Sequence, residues 1–305
     1  MLDLGCLGPP WHPCPLSPPI SLTSFTSKPT VKPLDMALDS FDDQYQNCSH
    51  AMKAALPALN RFEFQNNSLF TEVWSQAVSM WRFRGSPVSP LSSSDQATAL
   101  MVYTMIFLSE QFNNEVSVAG RSPQEYRDNF HFKTLHFLLT DALEEECHCV
   151  FWGVDKYKFE ANVGDIVRFG QFASSTLCED TIHDLRTTTV FKVITCHGVD
   201  IREFSRYPSV EEVLIPPFEM FNVTKVMEKG TSVEIHLDSI GTYSKYNCEW
   251  LTGGDSLGPW GHPLGPWGHP LGPWGHPLGP WGHPLGPWGH PLGPWGHALG
   301  PWGHT

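Results

Sequence analysis

No apolar run in this sequence approaches the roughly 18–20 residues that a helix needs to cross a bilayer. Positive charge is also scarce: 19 Lys and Arg stand against 32 Asp and Glu in 305 residues. An acidic chain with few basic clusters is a poor general binder of nucleic acid phosphates, and no nucleic acid partner is expected. Neither GxGxxG after a strand nor GxxxxGK[ST] occurs, which excludes the common nucleotide-binding loops. Cys147-His148-Cys149 is too tight for a zinc pair and no second CxxC accompanies it, so no metal site is expected. A secretory leader needs a basic start and about 7–15 apolar residues. Neither is visible here, because Pro interrupts every apolar run near the N terminus.

What is present is unevenly spread. Residues 257–305 hold 14 of the 26 Gly, 12 of the 27 Pro, seven of the 12 Trp and no charge. They are a heptapeptide, LGPWGHP, repeated in register and decaying only to LGPWGHA and LGPWGHT in the last two units. Gly and Pro fill four of its seven positions, which forbids a helix. Its regular imidazoles could bind transition metals weakly, but in-frame expansion of a short duplication accounts for the pattern, and no catalytic role is expected of it. Residues 1–33 carry eight Pro and three charged side chains, and read as a disordered Pro-rich extension. Residues 34–256 keep 17 Lys and Arg and 31 Asp and Glu, a net charge of −14, in a segment long enough for one sizeable core.

Within that segment the rhythm changes once. In the first half, apolar residues recur at helical spacing. Leu69, Val73, Ala77 and Met80 share a face after Ser68, a good N-cap. Ala99, Val102 and Ile106 follow Ser94 or Asp95, and Tyr126, Phe130, Leu135, Leu138 and Ala142 follow Ser122-Pro123, a cap with Pro at the first helical position. The second half breaks into short runs rich in Val, Ile, Phe and Thr, such as CHCVFWGV, TTTVFKVITC and TSVEIHLDSI, with turns expected at Gly164-Asp165, Gly198 and Gly230. Helices first and strands afterwards predict an α+β domain, not a βαβ alternation. His131 and His136 read as core or surface residues, and Glu144 to Glu146 as a solvated helix end.

Six of the eight Cys lie in the domain. A bridge from Cys48, just before the first helix, to Cys248, near the last strand, would tie its two ends together and contribute about 4–5 kcal/mol by chain entropy. Three N-x-Ser/Thr triplets, at Asn47, Asn66 and Asn222, fit the same oxidising setting.

Four longer motifs are more specific. FHFKTLHFLLTDAL, VGDIVRFGQFASSTL, EEVLIPPFEMFNVT and YNCEW resemble the vertebrate arginine-specific ecto-mono-ADP-ribosyltransferases, and the similarity runs from about Leu34 to Leu251. The resemblance implies a split mixed β-sheet that clamps NAD as substrate, arginine-bearing proteins as acceptors, and a secreted or lipid-anchored location at the cell surface. No anchor signal is visible in this chain. It also implies disulfides Cys48–Cys248 and Cys147–Cys196, leaving Cys149 and Cys178 over. The family's site rests on an Arg, a Ser and a Glu-x-Glu pair. Carried over one position at a time, the Ser falls on Ser174 and the second Glu on Glu212, whereas the Arg position holds Trp152 and the first Glu position holds Val210. Gly153 and Phe172 complete the expected dinucleotide contacts.

Those substitutions have physical meaning. A carboxylate at Glu212 would stabilise the positive charge that develops on ribose as nicotinamide leaves. Trp152 offers one neutral N–H and a broad ring but cannot neutralise phosphate as a guanidinium fork does, unless Arg168 or Lys156 compensates. Val210 can neither engage nor deprotonate a guanidinium, and Glu211 is expected on the opposite face of an extended chain. The expected function is therefore mono-ADP-ribosyl transfer from NAD to arginine, weakened. NAD hydrolysis and a catalytically silent binding module are the alternatives.

Overall fold

The computed structural model describes residues 29–178 and 187–252. The extension up to residue 28 and the heptapeptide repeat lie outside these residues.

The expected change of rhythm is the architecture. Helices α1 (Ser49–Asn66), α2 (Ser68–Phe83), α3 (Ser94–Tyr103), α4 (Ile106–Ala119), α5 (Pro123–Asn129) and α6 (Lys133–Asp141) precede all but one of the strands. The stripe of α2 is half right, because Val73 and Ala77 are buried with Phe70 while Leu69 and Met80 pack at the margin. Its cap is Asn67, one residue earlier than expected, whose side chain accepts the Phe70 N–H. Ser93, not Ser94 or Asp95, caps α3 through a reciprocal box with Gln96. The second and third stripes are each cut in two by tertiary contacts. Between α3 and α4, the Thr104 hydroxyl donates to Met101 O and accepts the Arg206 N–H, which leaves Ile106 on the surface. Between α5 and α6, the buried carboxylate of Glu63 reaches over from α1 and accepts the N–H groups of Lys133 and Thr134, satisfying the first donors of α6. Glu144 to Glu146 do not end a helix: α6 stops at Asp141, and Glu146 opens a strand.

The strands are β2 (Glu146–Val154), β3 (Tyr157–Glu160), β4 (Ile166–Val167), β5 (Ala173–Leu177), β6 (Thr189–Asp200), β7 (Glu212–Ile215), β8 (Glu219–Lys229) and β9 (Ser232–Thr242), and a last turn of helix, α7 (Glu249–Thr252), follows them. Their order is β2-β5-β7-β6-β9-β8-β4, and β2 also pairs with β6. The first four strands therefore close on one another, while β9, β8 and β4 continue outward from β6; β6 and β9 pair in parallel, and the other pairings of this sheet are antiparallel. This is a split mixed sheet, as expected.

Two expectations need correction here. Thr30–Pro33, inside the segment read as an extension, form β1, which pairs in parallel with β3 and sets Lys32 over the rings of Tyr157 and Phe159. Gly198 is no turn but a strand residue of β6, where a Cβ would meet Leu214 O and Val213 Cγ1 at 3.0 Å. Gly164 and Gly230 do adopt positive φ, 94° and 64°, which glycine takes at little cost.

Two hydrophobic cores result. One joins the helices and takes in Phe172, Val199 and Leu214 from the strand region; the other lies among the strands, around Phe191, Val213, Phe221 and Ile235. Because Leu214 faces the first and Val213 the second, β5 and β7 lie between the two cores. A polar clasp joins the ends of the domain. Arg168, fully buried, donates to Asp42 Oδ2 at 2.7 Å and to the carbonyls of Met36 and Tyr243, while Asp43 accepts the N–H groups of Cys248 and Glu249. Cys48–Cys248 and Cys147–Cys196 are disulfides. Cys149 and Cys178 are not left over but form a third bridge, from β2 to the residue after β5, whose strands are already hydrogen-bonded partners.

Candidate active site

The site grows from the pairing of β5 with β7. In their register Ser174 lies opposite Leu214 and Thr176 opposite Glu212. Ser174 and Glu212 are thus diagonal neighbours on one face, while Ala173, Val213 and Ile215 alternate into the strand core. The Ser174 hydroxyl donates to Glu212 Oε1. A second hydroxyl, which nothing in the sequence had singled out, donates to the other oxygen: Ser205 Oγ lies 2.7 Å from Glu212 Oε2. Ser205 belongs to the connection between β6 and β7, which folds back so that Ile201 N–H bonds Glu212 O at 2.9 Å. The carboxylate is only 9% exposed, at the margin of the helical layer. Below it, Tyr103 donates to Phe172 O and Asn113 grips both backbone groups of Phe172. Burial pushes the Tyr103 hydroxyl well above its ordinary pKa, and the nearby negative charge of Glu212 adds to the effect.

The remaining expected contacts fall elsewhere. Val210 is 40% exposed and has no polar side-chain atom to offer. The Glu211 carboxylate pairs at 2.7 Å with Arg202, which also holds Asp200 at 2.6 Å, so Glu211 does not stand in for the residue before it. Trp152 follows Val150 toward the strand core, its ring stacked on Phe191 at 5.4 Å and edge-on to Phe169 at 4.8 Å, and Gly153 sits beside it opposite Val190. Phe172 was expected to contact the dinucleotide, but its ring is fully buried among Tyr103, Phe112 and His136 and belongs to the helical core. Arg168 is committed to Asp42, and Lys156 lies over the Tyr157 ring. His136 is buried between Tyr45 and Phe41, and burial pushes its imidazole down to about 3, so it is a neutral core residue. Among the described residues no cluster of three or more His, Cys, Asp or Glu could hold a metal ion, and no helix is long and apolar enough to cross a membrane.

A split sheet whose central strands carry a hydroxyl-held carboxylate, under a helical layer, defines the ADP-ribosyltransferase class. Residues 34–245 match the family model described as NAD:arginine ADP-ribosyltransferase. The erythroblast NAD(P)(+)--arginine ADP-ribosyltransferase of Gallus gallus is 45% identical over 72% of this chain and 76% of its own length. The GPI-linked NAD(P)(+)--arginine ADP-ribosyltransferase 1 of Homo sapiens is 42% identical over 72% and 74%. The crystal structure of the eucaryotic mono-ADP-ribosyltransferase ART2.2 superposes with a TM-score of 0.62 at 35% identity, covering 71% of this chain and 98% of that one, and a variant of it has been solved in complex with NAD. The chain belongs to the NAD:arginine ADP-ribosyltransferase family.

Proposed function

We propose that this chain cleaves NAD at the bond between nicotinamide and ribose and passes the ADP-ribose to arginine side chains of proteins, with the transfer step weakened by Val210 and the hold on NAD weakened by Trp152. The observation that carries this reading is the Glu212 carboxylate, fixed through both oxygens and set at the edge of the helical layer. As the glycosidic bond breaks, its electron pair leaves with nicotinamide, which departs neutral, and positive charge spreads over the ribose C1 and ring oxygen. A carboxylate already oriented beside that carbon stabilises the charge without reorganising. Ser174 orients Glu212. A guanidinium nitrogen then bonds to C1 and must lose a proton, and Val210 supplies no group to take it.

That last point supports a second reading, NAD hydrolysis, in which water bonds to C1 in place of arginine and ADP-ribose and a proton are released. A location outside the cell or on its surface is inferred from the three disulfides and from the GPI-linked relative. Incubating the purified chain with labelled NAD, with and without an arginine-like acceptor, tests the proposal. Label on the acceptor supports transfer, free ADP-ribose alone supports hydrolysis, and no release of nicotinamide removes both in favour of a binding module.

A further inference from the structure

The connection between β6 and β7 does more than link two strands. Ser205 is fully buried, and each of its groups is engaged. Its main-chain N–H donates to Ile201 O at 2.7 Å, and its hydroxyl oxygen accepts the Tyr207 N–H at 3.0 Å. A hydroxyl has one proton to give, and here it goes to Glu212 Oε2 at 2.7 Å. The connection is gripped from outside as well. Arg84, the C-cap residue of α2, donates through Nη1 to Ser205 O and through Nη2 to Arg206 O, the latter at 2.8 Å, and the Arg206 N–H donates to Thr104 Oγ1 at 2.9 Å.

From this geometry we infer that Ser205 is a positioning residue for the NAD-cleaving step: with Ser174 it fixes the plane of the Glu212 carboxylate, and Arg84 holds it in place from the helical layer. One hydroxyl on one oxygen leaves a carboxylate free to swing about its last bond. Donors on both oxygens, from two different elements, remove that freedom. An ionised carboxylate has about four acceptor sites, so two hydroxyls still leave room for a ribose hydroxyl. The inference rests on the proposed role of Glu212, and its test separates the two.

NAD cleavage is measured for the full chain and for Ser205→Ala, Glu212→Gln and the double variant. A lost hydrogen bond to a charged group predicts that Ser205→Ala lowers kcat by about tenfold or more, with KM for NAD within about twofold. In the Glu212→Gln background the same substitution should have no further effect. A kcat within about twofold of the parent, or a loss that persists undiminished without Glu212, overturns the role of Ser205. A Glu212→Gln variant as active as the parent overturns the reading beneath it. A parent that releases no nicotinamide overturns the reading beneath it and the role of Ser205 with it.

Discussion

The two halves of the candidate site differ in how the chain treats polar groups. Around Glu212 every partner is in place: two hydroxyls, a bracing guanidinium and an alternation that keeps the carboxylate out of the strand core. At Val210 and Trp152 the site is apolar, and one residue is half exposed while the other is absorbed into an aromatic stack. On the proposed reading, the carboxylate that would face the departing nicotinamide is held in place, whereas the positions where family resemblance expects partners for phosphate and for the incoming guanidinium carry no charge. On that reading, bond breaking and acceptor capture rest on different residues.

The contrast can be broken or sharpened by substitution, from the largest expected effect downward. Arg168 is the cation nearest in kind to the missing one, but it is locked to Asp42, so Arg168→Met should cost about 3–5 kcal/mol of stability by leaving a buried charge unpaired. Chemical denaturation reads that loss; a raised KM for NAD at unchanged stability would instead place Arg168 in the dinucleotide site. Glu212→Gln should lower NAD cleavage by about 10²–10³, as removal of a well-placed electrostatic group does, and nicotinamide release measures it. Val210→Glu, alone and then with Trp152→Arg, should raise acceptor-dependent transfer relative to hydrolysis by about 10²-fold, the low end of what general base catalysis contributes. A double variant as slow as the parent would count against these positions. Glu211→Gln should do least: the pair it makes with Arg202 is half-exposed and worth about 0–1 kcal/mol, and cleavage rates should stay within about twofold.

How much of this was legible beforehand follows from the range of the interactions. The stripe of α2 is local, and it could be read to within a residue. The breaks at Thr104 and at Phe130–Phe132 could not, because the contacts that cause them, with Arg206 and Glu63, span 102 and 70 residues of sequence respectively. Ser174 and Glu212 were found through motifs, and strand alternation then explains why they meet and why Glu211 faces elsewhere. Phe172 stands beside the site in sequence, but its neighbours in space are the rings of the helical core. Ser205 carries no motif, and only the return of its loop onto β7 gives it a role. Likewise, spacing alone does not fix which cysteines pair, and the bridge from Cys149 to Cys178 became visible only with β2 and β5 side by side.

In the clasp, Asp42 accepts the N–H groups of Lys245 and Tyr246, Asp43 those of Cys248 and Glu249, and Cys48 is bridged to Cys248. The earliest-made residues of the domain therefore wait for the last-made ones. A nascent chain that ends before Lys245 leaves the Asp43 carboxylate and the Cys48 thiol without these partners, so the domain closes only once its last residues are made.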